Sequence, residues 1–405
     1  MNACPHDEEE RKKIVEGVQR AYKLGDHPPR LNAYFAFLNK PLSCKNSKEI
    51  FDGNIKYITK KGISQSYVFK GKLQKQYGQP ERVYGKVSVE YSPFGINNDD
   101  SLWTEAQIYR YMNTLVLRRA TPHVVTFVHE MNCGFTEASG LIPRDIWDIL
   151  YSKTTTTNLF TKTGLRILLT EDLPDTLPLY QFLETASEQE KKEVYFQVLW
   201  TIAVFMEVGF EHHDMQFANI LVTKLPTVSE TTYIISSIKF NLKTRYFVRI
   251  FDFDQSTKRE TNYDSLVISN PKMCRNGLLG ENRYHFAVGS HTENEKYDLF
   301  KFLGTLRKSG DWKLFSRSLP DHVKKELEKP RRESTLFNSF DNPLDEKYKK
   351  FMEHVEISIL MLDMVKTGSG NGEKWYLPSF FVNHSSGQKR KAESQTPTSV
   401  KREKQ

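Results

Sequence analysis

The chain has 405 residues, 38% of them hydrophobic and 12% aromatic, with a formal net charge of +8. That composition is ordinary for a globular protein and supplies core material for one large two-lobed domain or two smaller ones. The positive excess favours acidic partners such as nucleotides, nucleic acid or anionic surfaces, but several of the charges lie in a basic C-terminal tail, so it says little about the folded part.

No apolar run approaches the roughly 20 residues that span a bilayer, and the start, MNACPHDEEERKK, is too charged for a signal peptide. The four cysteines, Cys4, Cys44, Cys133 and Cys274, are far apart and form no C-x-x-C pair. This argues against a disulfide framework and a structural zinc site. The expectation is a soluble intracellular protein, cytoplasmic, nuclear or both, that does not engage a membrane.

In chain order, residues 7–24 carry acids early and bases late, with Ile14, Val18 and Tyr22 one helical turn apart, which predicts an N-terminal helical extension within residues 1–54. Between Tyr57 and Tyr91, two β-rich segments flank a turn at Tyr77 to Pro80 and predict an antiparallel sheet. A helix is predicted from Ser101 to Leu117. Ser187 and Glu190 form a capping-box pattern that opens a long apolar helix ending at Gly209. Paired strands are predicted from Val222 to Phe253 on either side of Lys243-Thr244. Residues 309–365 read as helical or irregular. From Lys366 the chain is rich in Gly, Ser, Thr and charge, which predicts a disordered basic tail over 366–405. Its clusters Lys389-Arg390-Lys391 and Lys401-Arg402 fit either a two-part nuclear import signal or a solubilising, non-specific anion-binding tail.

The chemistry concentrates in Glu211-His212-His213-Asp214-Met215-Gln216-Phe217-Ala218-Asn219, an H-x-D-x-x-x-x-N loop between the long helix and a strand. A carboxylate there can orient an attacking hydroxyl and take its proton late, while an amide a few residues on can hold a metal against phosphates. Adjacent histidines on an extended loop point to opposite faces, so His212 and His213 do not easily chelate one ion. Downstream, Phe251-Asp252-Phe253-Asp254 follows an apolar strand; upstream, Val83-Tyr84-Gly85-Lys86 precedes the helix that carries Glu105.

Each of these motifs is weak alone. In this order, and on these local structures, they resemble the eukaryotic-type protein kinase superfamily over about residues 55–310, in a divergent form similar to haspin-like kinases and to kinases of large DNA viruses. The resemblance implies an α+β, bilobal fold, with a small β-rich lobe and hinge over 55–173 and a larger, mainly helical lobe over 174–365. It implies ATP and Mg²⁺ as cofactors and a protein Ser/Thr hydroxyl as acceptor. Asp214 would be the catalytic carboxylate, with Lys86 and Gln216 acting beside it. Gly62, Val68, Lys86, Glu105, Glu171 and Leu173 would surround the nucleotide, with Thr170 at the gatekeeper position. Asn219 and Asp252 would hold the metal, and Asp298 would brace the loop. The implied partners are ATP, a protein substrate and, through the tail, an import receptor; nucleic acid is expected to meet only the tail, non-specifically.

The chain departs from the family pattern at identifiable places. Of the glycine-rich loop only Gly62 remains, in Lys61 to Val68. His213 replaces an arginine that receives an activating phosphate in many members, which points to constitutive activity or control by a partner. Gln216 stands where a lysine neutralises the transferring phosphoryl group, and Asp254 replaces a glycine. These departures keep two other readings open: a nucleotide-binding pseudokinase, and a small-molecule phosphotransferase of the aminoglycoside or choline kinase type.

Overall fold

A computed structural model describes residues 51, 56–58, 67–74, 82–91, 100–134, 162–261, 266–268, 296–329, 350–368 and 370–378. The expected N-terminal helix, the turn at Tyr77 to Pro80, Gly62 and the basic clusters of the tail lie outside these residues. The fold is α+β.

Strands β1 (Lys56–Ile58), β2 (Tyr67–Lys72) and β3 (Arg82–Tyr91) are followed by helix α1 (Asp100–Leu117), then β4 (Phe127–Cys133) and β5 (Lys162–Glu171). The five strands form one antiparallel sheet in the order β1-β2-β3-β5-β4. Alternation sets the buried face: Phe69, Val83 and Val87 point inward, while Val68 and Lys86 lie opposite each other on the other face. Gly85 has a specific reason to be glycine, because a Cβ there would lie 2.0 Å from the Phe69 ring. Helix α1 is sealed to the sheet through Asn113, whose amide donates to the Phe127 carbonyl and accepts from the Phe127 N–H, both at 3.0 Å.

The rest of the described chain begins with β6 (Thr176–Pro178), the short helix α2 (Leu179–Phe182) and α3 (Glu188–Glu207). Helix α3 starts at a capping box in which the Ser187 side chain accepts from Glu190 N–H and the Glu190 carboxylate accepts from Ser187 N–H. Residues Val194 to Phe205 are buried without a break, so this helix has no solvent face in its middle. It ends where Gly209 takes a φ of 66°, a left-handed conformation that suits glycine. Trp200, at its centre, donates to the Ala120 carbonyl at 2.8 Å and joins the helix to the segment just after α1.

After α3 come β7 (Phe210–Glu211), a 3-10 turn at Phe217–Asn219, β8 (Ile220–Ile235), β9 (Ile238–Ile250) and β10 (Thr257–Lys258). Helices α4 (Tyr297–Ser309), α5 (Asp321–Glu328) and α6 (Ile357–Met364) follow, then β11 (Glu373–Tyr376). β8 pairs with β9 along one edge; on its other edge it takes β6 antiparallel and β11 parallel. A small ladder joins β7 to β10.

Three expectations are corrected. The hairpin turns at Ser236-Ser237, where Ser236 has a φ of 52°, and Lys243-Thr244 lies inside β9. The β-branched and aromatic run from Ile238 to Ile250 continues through those two residues because Lys243 pairs with Glu230 across the hairpin. The disordered tail does not begin at Lys366: Lys366 accepts from Asn241 N–H, Gly368 donates to Lys239, and β11 buries Trp375 on β8. One buried tryptophan and a paired strand outweigh the polar composition around them. Finally, Cys133 is disulfide-bonded, against the expectation from cysteine spacing, which carries no information on distances in the fold. Among the described residues no helix is long and apolar enough to cross a membrane.

Candidate active site

Lys86 lies in the middle of β3, so the sheet fixes its backbone, and its half-buried side chain projects toward α1 and the segment after β9. Its Nζ lies 2.7 Å from Glu105 Oε2 and 3.2 Å from Asp252 Oδ1. Burial works against the lysine charge, but Glu105, Asp252 and Asp254 outweigh it and hold the amine well above its ordinary range. Burial pushes Glu105 up to about 7, against the pull of Lys86. The two therefore form an ion pair that depends on each partner being present.

The loop 210–219 is held from below by Asp298, in the first turn of α4. One carboxylate oxygen accepts the His212 N–H at 2.7 Å and the other accepts the His213 N–H at 2.9 Å. Burial raises the Asp298 pKa, while His212 and these two amides pull it down. His212 is fully buried and its Nε2 donates to the Phe251 carbonyl at 3.0 Å. A carbonyl only accepts, so the proton sits on Nε2 and leaves Nδ1 to accept the Asp214 N–H at 3.3 Å. His213 takes a φ of 65°, and its Nε2 sits 2.9 Å from Thr257 Oγ1 on β10. Burial pushes its pKa down to about 3, with His212 and Lys301 adding to the effect. Glu211 Oε2, at 3.4 Å from the same nitrogen, does not offset the burial.

Above this base the loop presents Asp214. Gln216 Nε2 donates to Asp214 Oδ2 at 2.9 Å and Asn219 Nδ2 donates to the same oxygen at 2.7 Å. Both amides converge on Oδ2, so Oδ1 is the oxygen left for an incoming hydroxyl. The Asn219 carbonyl accepts the Phe251 N–H at 3.1 Å, which sets Asn219 beside Asp252. The structure thus brings Lys86, Glu105 and Asp252 into one cluster and Asp214, Gln216 and Asn219 into an adjoining one, joined through the main chain of Phe251.

The remaining predicted residues divide. Val68 lies directly across from Lys86 on the same sheet face, and Leu173 is half-buried just after β5. The Glu171 side chain turns into the interior, where Oε1 accepts the Thr126 N–H at 3.1 Å and lies 3.3 Å from the buried Arg249 guanidinium. A ligand could meet Glu171 only through its main chain. Arg249 also donates to Thr176 and Thr223, each at 3.1 Å, and so ties β5, β6, β8 and β9 together. Sequence reasoning missed it, since one arginine in a strand carries no local signal of burial. It also missed Tyr109, although its place four residues after Glu105 puts both on one face of α1.

Among the described residues no group of three or more His, Cys, Asp or Glu side chains could hold a metal. The donors that fit Mg²⁺ are an Asp252 carboxylate oxygen and the Asn219 amide oxygen, which is left over because Asn219 Nδ2 is engaged with Asp214. Both are hard oxygen ligands, and Mg²⁺ commonly takes its remaining ligands from phosphate and water. The chain matches no protein-family model and no curated protein sequence.

Proposed function

We propose that this chain is a divergent, two-lobed protein kinase that transfers the γ-phosphate of ATP to a Ser or Thr hydroxyl of a protein substrate. The observation that carries this reading is the meeting of Lys86 with both Glu105 and Asp252, beside an Asp214 whose Oδ2 is fixed by Asn219 and Gln216. In it, β1–β5 with α1 form the small lobe, and the segment around Glu171 to Leu173 is the hinge.

Lys86, braced by Glu105, positions the α- and β-phosphates. Asp214 Oδ1 receives the acceptor hydroxyl. As the oxygen–phosphorus bond forms and the bond to the ADP oxygen breaks, the hydroxyl proton passes to Asp214. Asn219 and Asp252 would hold Mg²⁺, which when bound neutralises charge on the phosphates. His213, neutral and hydrogen-bonded to Thr257, holds β10 against β7 without a phosphate-dependent charge, which favours constitutive activity or control by a partner.

One observation favours a second reading. Gln216 gives Asp214 an uncharged amide where a cation would stabilise the transferring group, so a nucleotide-binding pseudokinase remains the competing account. The test is transfer of labelled γ-phosphate with Mg²⁺ by the full chain, offered a cell lysate, a basic protein, aminoglycosides and choline. Label on protein Ser or Thr that is lost on chelation with EDTA supports the kinase. Label on a small molecule alone moves the activity to small-molecule phosphotransfer, and nucleotide binding without transfer supports the pseudokinase.

A further inference from the structure

Strand β9 ends at Ile250, and two residues later Asp252 takes a φ of 66°, a conformation that non-glycine residues rarely adopt without support. The peptide unit joining Phe251 to Asp252 is gripped at both poles by side chains. His212 Nε2 donates to the Phe251 carbonyl at 3.0 Å, and the Asp252 N–H donates to the Tyr109 hydroxyl at 3.1 Å. Rotation of this peptide would swing the Asp252 carboxylate away from Lys86.

Tyr109 is 4% exposed on α1, one turn beyond Glu105. Its ring meets Phe253 edge-on, with centroids 4.9 Å apart. A phenylalanine would make that contact equally well. A hydroxyl buried at this depth is costly unless it is hydrogen-bonded, and the bond it makes is to Asp252. One face of α1 therefore carries both the partner of Lys86 and the acceptor for the Asp252 amide.

We propose that Tyr109 is a positioning residue for Asp252: by accepting its amide hydrogen, the hydroxyl fixes the direction in which the Asp252 carboxylate is presented to Lys86 and to a divalent cation. The proposal rests on the phosphotransfer reading above.

The test is Mn²⁺ binding to the full chain with a non-hydrolysable ATP analogue, read as loss of free Mn²⁺ signal by electron paramagnetic resonance, for wild type, Tyr109→Phe and Tyr109→Leu. Tyr109→Phe keeps the ring and is expected to weaken Mn²⁺ binding about fivefold, the effect of one hydrogen bond. Tyr109→Leu should be at least as weak. Wild-type binding in Tyr109→Phe, whatever Tyr109→Leu does, would mean that the hydroxyl sets nothing and would overturn the proposal. Absence of Mn²⁺ binding by the wild type would instead sink the phosphotransfer reading, and the proposal with it. Should Tyr109→Phe fail to fold, exchange of the Asp252 amide in selectively labelled wild type decides: protection supports the hydrogen bond, and exchange at the unprotected rate refutes it.

Discussion

Lys86 and Asp214 belong to adjoining clusters and are held there differently. Lys86 is held by charge: two carboxylates from other elements, Glu105 on α1 and Asp252 after β9, converge on one ammonium. Asp214 is held by hydrogen bonds: amides grip Oδ2 from above, and Asp298 grips the main chain of the two preceding residues from below. The ion pair joins three elements by side chains alone and comes apart when they shift, whereas the loop adds bonds between its own residues, Gln216 and Asn219 to Asp214, to the one grip that it takes from Asp298 on α4. The first arrangement suits a part of the site that assembles around a ligand, and the second suits a part that must be in place beforehand.

The largest difference between the two should appear on breaking the charge pair. Lys86→Met is expected to lower phosphoryl transfer by about 10²- to 10³-fold, the effect of losing one charge-stabilising donor. The fold should tolerate it, because Glu105, already raised to about 7 by burial, takes up a proton once its partner is gone. Steady-state rates beside a thermal melt check this; a melting point that falls as far as the rate would show that the pair is structural.

Asp298→Ala should do the reverse, with stability falling first. Two buried amides lose a charged acceptor, at a cost of about 3 kcal/mol in urea unfolding, and transfer falls with them. A variant as stable as the wild type would remove the main-chain scaffold from the account.

The smallest effect is a pH dependence. His213 is held neutral by burial, with its pKa lowered to about 3, whereas in the unfolded chain it takes a proton near pH 6.5. Between those values the unfolded state binds the extra proton, so stability is fully present above about pH 6.5 and is lost as pH falls. The loss is at most about 1.4 kcal/mol per pH unit. His213→Gln should flatten the slope of urea-unfolding stability between pH 7 and pH 5, and an unchanged slope would mean that another group carries it.

How much of this was legible in the sequence follows the range of each interaction. The capping box at Ser187 and the helix behind it are written within a few residues, and the structure has both. The turn falls at Ser236-Ser237 and not at Lys243-Thr244 because pairing along β8 carries the strand through the charged residue, while two serines between isoleucines are a weak local turn signal. The strand Glu373–Tyr376 was hidden by the glycine and charge around it, since its stability comes from pairing with β8 more than a hundred residues earlier. Among the candidate site residues, Lys86, Glu105, Asp214, Asn219 and Asp252 stand out because the chemistry that the resemblance implies demands particular groups in order. Arg249 does not, because its partners Glu171, Thr176 and Thr223 all lie far along the chain, and the one local signal for Tyr109, its place one turn after Glu105, says nothing of the Asp252 amide that it meets.

The proposed role of Asp214 is tested most directly by single-turnover transfer of labelled γ-phosphate from MgATP with wild type and Asp214→Ala, alongside MgATP binding by calorimetry. The prediction is that wild type labels protein, and that Asp214→Ala binds MgATP within a few-fold of wild type but transfers at least about 10²-fold more slowly. Equal transfer by the two proteins would contradict the assignment of Asp214, and with it the proposed function of the site.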